Sequence, residues 1–271
     1  MAFTLIKGTY HLKLGHPDGD SMRFLADRPD LFDRLAGPPV AIKELGTVQL
    51  RYEGIDTVEK GAIQPLARDS LNRNLELLRA VDHAGPAASS VRGFILSQLV
   101  DANRRPVCFV FAGASPHPDG SRMPLAVEQL EQSVNYKMLS SGMAYTLFYE
   151  TLSIDIRRHL TAAFQQARAA RLGLHQRDHT TTGVRINGRR QLPMIPPIFP
   201  KLWRRLDTFF ASHESLAEFT NWLVANPHDN ERLSILSDRR QHIALHEIIA
   251  VENDLIRLLY SPDDLLFHRS P

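Results

Sequence analysis

The chain has 271 residues, 43% hydrophobic and 23% charged, with a net charge of +2. This balance excludes a disordered chain and allows one domain with an appendage or two modest domains. The single cysteine, Cys108, excludes an internal disulfide framework and a cysteine-built zinc site. No run approaches the ~18 apolar residues of a membrane span.

The amino terminus lacks a leader-like apolar stretch, so the sequence predicts a cytoplasmic protein with no membrane partner. Charge is unevenly spread. Residues 157–205 hold eleven Lys/Arg and one acid, Asp178, whereas residues 206–271 hold eleven acids and five arginines. A basic block beside an acidic tail points to a polyanion-facing surface and a separate module, or to a solvated helix face.

In chain order, residues 3–14 and 21–26 read as strands separated by the turn-like Pro17-Asp18-Gly19-Asp20. Residues 27–46, with Pro29, Pro38 and Pro39, read as a long loop with a helical turn near Leu31. Residues 47–52 form a further strand with Val48, Leu50 and Tyr52 on one face. Residues 63–79 form the first clear helix, with Pro65 in its first turn and Ala67, Leu71, Leu75 and Leu78 as its apolar stripe. It stops before residues 82–86. Residues 91–100 and 106–111 read as strands around a polar turn, and Cys108 within the second reads as a small buried hydrophobe.

Helices are expected over residues 134–141, ended by Gly142, and 153–172, capped by Ser153 and ended by Gly173. Residues 184–190 look like a hairpin turning at Asn187-Gly188. Pro193, Pro196, Pro197 and Pro200 form a stiff linker. Beyond it, residues 201–211 and 215–225 read as helices, the second with a Ser215/Glu218 capping box. Residues 243–267 read as either a helix or a hairpin, the hairpin turning at Asn253-Asp254 being the favoured of the two. The expected organisation is a first domain over residues 1–180, a basic hairpin and proline-rich linker over 181–200, and a small, mostly helical C-terminal domain over 201–271, through which a regulatory partner or a second copy can bind.

The chemistry-bearing residues sit at strand ends and turns. Asp18 and Asp20 follow the first strand, residues 51–59 follow another, and Arg104 and Arg105 precede a third. Acids gathered outside apolar faces are candidates to hold a hard cation such as calcium or magnesium. Arginines match phosphate oxygens bidentately, and one further acid can activate water. Taken singly, each is as well explained as a turn or surface residue. Two histidine pairs, His175/His179 and His242/His246, are weaker metal candidates.

As an ordered set, these segments resemble the staphylococcal-nuclease-like (thermonuclease) family. Asp18-Gly19-Asp20-Ser21 matches the family's Asp-Gly-Asp-Thr. Arg51-x4-Asp56-Thr57-Val58-Glu59 matches its Arg-x4-Asp-Thr-Pro-Glu, and Arg105 ahead of Pro106-Val107 matches its Gly-Arg. Val134-Asn135, Gly142-Met143-Ala144-Tyr145 and residues 167–174 match its later segments, so the resemblance runs over about residues 8–180.

The resemblance implies an α+β fold, a five-stranded OB-type barrel packed with helices. It implies a calcium-dependent nuclease, an endonuclease acting on DNA or RNA, with Mg2+ as the other candidate ion. Asp20, Asp56 and the Thr57 carbonyl would hold the ion. Glu59 would be the general base. Arg51 and Arg105 would hold the scissile phosphate, and cleavage would leave 3′-phosphate ends. The alternative is a non-catalytic OB-type nucleic-acid- or protein-binding module. Val58 departs from the family's proline and predicts a softer loop. Asn103 stands where tyrosine is frequent, and the segments 27–46 and 114–132 are insertions beside the barrel.

Overall fold

The computed structural model describes residues 2–59, 61–62, 65–79, 88–238 and 240–268. The start of the expected first helix, residues 63–64, and its expected stop at residues 82–86 lie outside them. The fold is mixed α+β, a nearly closed barrel-like sheet with helices packed on it.

The main sheet is built from β1 (Phe3–His11), β2 (Arg23–Ala26), β3 (Val48–Gln49) and β4 (Arg51–Tyr52), joined after β5 (Ile55–Asp56) by β6 (Ser90–Val100), β7 (Pro106–Ala112) and β8 (Arg122–Met123). Its order is β3-β2-β1-β6-β7-β4, with β8 beside β1. The expected strand over 47–52 breaks at Leu50 for a topological reason. Its first half pairs antiparallel with β2 and its second half pairs parallel with β7. One short segment therefore bridges the two ends of the sheet and nearly closes it. β6 and β7 flank the expected turn, and Cys108 is buried between them.

Helix α1 (Leu66–Arg79) buries two of the four expected stripe residues, Ala67 and Leu78. Ala67, Ser70, Asn74 and Leu78 are buried, while Leu71 and Leu75 are only half-buried. The buried stripe turns toward polar residues because Asn74 does structural bonding, described below. Helices α2 (Val127–Gln132) and α3 (Val134–Ser140) follow. Next come β9 (Tyr145–Thr146), β10 (Phe148–Tyr149) and α4 (Ile154–Ala169). α4 buries Ile156, Leu160, Phe164 and Ala167 as expected. Gly142 and Gly173 take positive φ at the helix ends.

Three expectations for the later chain are corrected. Residues 184–190 do not fold on themselves. β11 (Val184–Arg185) pairs instead with a strand seventy residues on, and residues Arg189–Met194 form a 3₁₀ turn. The proline segment is not a solvated linker. Ile195, Ile198 and Phe199 are buried, and Pro200 opens helix α5 (Pro200–Phe209). The region after α5 is not mostly helical. Besides α6 (Phe219–Ala225) it contains β12 (Arg232–Ile235), β13 (Ile243–Ala244), β14 (Ile249–Glu252), β15 (Leu255–Leu258) and β16 (Leu265–Phe267).

β14 and β15 form the expected hairpin at Asn253-Asp254, with Asn253 at positive φ. Ser215 bonds the Ala217 amide at the start of the 3₁₀ turn that precedes α6. β16 pairs parallel with β10, and residues before and after position 200 share one apolar core. Among the described residues, no helix is long and apolar enough to cross a membrane.

The basic block is largely neutralised within the molecule. Arg168 pairs with Asp263, Arg185 with Asp254, Arg189 with Asp207, and Lys201 and Arg205 with Glu231. Five of the eleven cations of the basic block thus pair with acids from residues 206–271.

Candidate functional site

The loop carrying Asp20 is fixed from three sides. The Asp20 carbonyl accepts from the Tyr52 amide at 3.0 Å. The Asp18 carbonyl accepts from Asn74 Nδ2 at 2.8 Å, and Tyr52 donates its hydroxyl to Asn74 Oδ1 at 3.1 Å. Gly19 lies against Thr57, where a Cβ would come within 2.7 Å of the threonine side chain. Only a glycine allows the two chain segments to approach this closely. Asn74 therefore ties helix α1 to both loops. Its replacement by alanine leaves a buried hydroxyl and a buried carbonyl unsatisfied, and is expected to cost about 2–3 kcal/mol. Urea unfolding checks this, and a loss below about 0.5 kcal/mol would contradict the bridging role.

Residues 53–59 are held equally firmly. The Glu53 amide donates to the Cys108 carbonyl, and buried Asn135 Nδ2 donates to the carbonyls of Glu53 and Cys108. Asp56 pairs in register with Tyr145, and its side chain is 2% exposed. Val58, expected to soften the loop, is buried beside the proline segment. It lines one small cavity with Pro196, Pro197, Pro200 and Trp203. A Cβ on Gly61 would meet the Trp203 ring at 3.0 Å.

Asp20, Arg51, Asp56, Thr57, Glu59 and Arg105 line one cavity of about 800 Å³. They come from four separate chain segments. Arg51 sits on β4 opposite Val107 of β7. Burial works against its charge, yet Tyr149, Asp56 and Asp20 nearby hold the guanidinium above its usual range. Arg105 is oriented by Asp101, which accepts from both its amide and its Nε at 2.8 Å. Asn103 lines the same cavity. Burial, then the neighbouring Asp18 and Asp56 charges, push the Asp20 carboxyl well up. Burial also raises Glu59, against the lowering influence of Arg204.

The far wall is built by residues that sequence reasoning did not single out. Lys201, Arg204, Arg205, His228, Glu231 and His268 line it, together with Tyr149. Arg204 spans the cavity. Its Nη1 and Nη2 donate to Asp56 Oδ1 at 3.0 Å and Oδ2 at 2.8 Å, and Nη1 also donates to Glu59 Oε1. These acids hold its guanidinium well above the usual range despite burial. Lys201 pairs with Glu231 and donates to the Tyr149 hydroxyl. Arg205 pairs with Asp229 and Glu231. The one available sequence signal was the position of Arg204 and Arg205 in the basic block.

Oxygen donors from Asp20, Asp56 and the Thr57 backbone are the set suited to a hard cation. Among the described residues, no three His, Cys, Asp or Glu side chains converge as a metal cage. The donor chemistry nonetheless fits an oxygen-seeking ion. Seven carboxylates and five Lys/Arg line the cavity, and Asp20 is raised first by burial and then by the neighbouring Asp18 and Asp56 charges.

The histidine pairs serve other ends. His175 is buried against Tyr145 and Phe164, His242 stacks on His268, and His246 bonds Asn230. No protein-family model matches the chain, and no curated protein matches it.

Proposed function

We propose that this chain is a divalent-cation-dependent phosphodiesterase that hydrolyses DNA or RNA, a staphylococcal-nuclease-like enzyme on an OB-type barrel. On this reading residues 48–52 act as one strand, which with β1, β2, β6 and β7 would make a barrel of five. The observation that carries the reading is the convergence of Asp20, Arg51, Asp56, Thr57, Glu59 and Arg105 on one cavity. Two arginines, an acid for water activation and oxygen donors for a cation are the parts that phosphodiester hydrolysis requires.

Asp20, Asp56 and the Thr57 carbonyl would hold calcium, or magnesium in its place. Such an ion, when bound, neutralises charge on the phosphoryl oxygens. Arg51 and Arg105 hold the non-bridging oxygens of the scissile phosphate in position. Arg105 is held by Asp101, and Arg51 on β4 keeps its charge against burial through nearby Tyr149, Asp56 and Asp20, so two cations stand ready as charge builds on the phosphate. Glu59 takes the proton of the attacking water. The bond from phosphorus to the 5′ oxygen breaks, that oxygen takes up a proton, and the 3′ side keeps the phosphate.

The second reading is a non-catalytic nucleic-acid- or protein-binding module. The contact of Arg204 with Asp56 and Glu59 favours it, because both acids are engaged. A cleavage panel of single- and double-stranded DNA and RNA separates the two. Fragments are expected from single strands faster than from duplexes, because the cavity wall stands one arginine side chain from the acids. Retarded but intact nucleic acid in every lane would favour the binding module.

A further inference from the structure

Arg204 occupies the oxygens that the nuclease reading assigns to the cation. A carboxylate offers two oxygens, and the Arg204 fork takes both on Asp56 at 3.0 and 2.8 Å. With Arg204 in place, the Asp56 side chain is 2% exposed. The same guanidinium also engages Glu59. Such bidentate, charge-assisted contact is among the stronger pairings a protein makes.

The helix bearing Arg204 is anchored independently of this contact. Trp203 Nε1 donates to the Leu192 carbonyl, Lys201 pairs with Glu231, and Arg205 pairs with Asp229. The Arg204 side chain itself is 31% exposed and faces a cavity of about 800 Å³. It can therefore leave Asp56 by side-chain rotation while α5 stays in place. Released, its guanidinium faces the volume in which a phosphodiester would lie, and its fork matches phosphate oxygens as well as carboxylate oxygens.

We propose that Arg204 sets the divalent-cation requirement of this site: its guanidinium is a resident cation on Asp56 and Glu59, and a divalent ion binds Asp56 by displacing it. The inference rests on the assignment of Asp56 as a cation ligand and is independent of whether nucleic acid is the substrate. Because the resident cation must be displaced, the ion's apparent affinity is lowered by the strength of the arginine contact. Arg204 then serves two partners in turn, the acids before the ion binds and an anionic ligand afterwards.

The test is calorimetric titration of the full chain with calcium chloride, alongside thermal unfolding in EDTA and in calcium. Arg204→Gln keeps much of the side-chain length but removes the charge. It is expected to bind calcium at least about tenfold more tightly than the unmodified chain. Its unfolding temperature should be lower in EDTA and rise more on adding calcium. Arg204→Lys keeps one charge but not the fork, and should fall between the two. Asp56→Asn should abolish binding.

Calcium binding by Arg204→Gln that is equal to or weaker than that of the unmodified chain overturns the proposal, as does the absence of binding to every form. If Arg204→Gln does not fold, tighter binding by Arg204→Lys supports the proposal, and equal or weaker binding overturns it. Tighter binding without cleavage by any form keeps this inference and removes the nuclease reading. Equal binding with calcium-dependent cleavage does the reverse.

Discussion

Glu59→Gln is expected to lower nucleic-acid cleavage by about 10²–10⁴-fold while the protein stays folded, because the amide cannot take a proton from water. Glutamine preserves the shape of the side chain, and the lost ion pair with Arg204 is about a third exposed on both sides. Such a pair contributes less than about 1 kcal/mol to stability. Circular dichroism and thermal unfolding should therefore be almost unchanged while turnover falls.

Arg51→Ala is expected to cost at least about 10²–10³-fold through loss of a positioned cation. Its effect should fall mainly on kcat, since the cation matters most as charge builds on the phosphate. Cleavage at the original rate by both variants would remove the active-site assignment. The raised Glu59 carboxyl adds a sign to the pH profile. Glu59 must be deprotonated to act, so activity should fall as pH drops through its folded value, at a higher pH than for an ordinary glutamate.

Removal of divalent ions is the second large effect. Treatment with EDTA is expected to reduce cleavage to background, and calcium in excess to restore it fully. The physical reason is the donor set, since Asp20, Asp56 and Thr57 line one cavity and present the oxygens a hard cation takes. Calcium accepts several oxygen ligands in loose geometry and suits two carboxylates, a carbonyl and water. Magnesium demands a stricter octahedron and should restore less. The folded state is expected to survive chelation, because Arg204 then remains on Asp56 and Glu59. Cleavage that is indifferent to EDTA would count against the cation role of Asp20 and Asp56.

Much of the barrel was legible in the sequence because its strands carry local signals. β6 and β7 follow from apolar, β-branched and aromatic runs around a polar turn, and the hairpin at Asn253-Asp254 from its turn residues. What failed was decided by distant partners. Asn187-Gly188 is chemically fit for a hairpin, but Val184–Arg185 gains a better partner in Leu255–Leu258. On α1 the apolar stripe does not reveal Asn74, a polar residue that lies inside with its two side-chain bonds satisfied.

The site divided in the same way. Asp20, Arg51, Asp56, Glu59 and Arg105 stand in short, ordered spacings and could be picked out. Arg204 lies 148 positions from Asp56 and belongs to no motif. Only the packing of α5 near Val58, Glu59 and Gly61 places it at the acids. Val58, a departure that predicts a softer loop, is buried beside Trp203 and the proline segment, neighbours its own sequence context does not reveal.

The most direct test of the proposed phosphodiesterase activity is one time course. A 5′-labelled single-stranded oligonucleotide is incubated with the full chain in calcium and, in parallel, in EDTA, and the products are resolved on a denaturing gel. The expected result is a ladder of shortened fragments with 3′-phosphate ends in calcium and intact oligonucleotide in EDTA. Intact oligonucleotide under both conditions, from protein shown to be folded, would contradict the proposal.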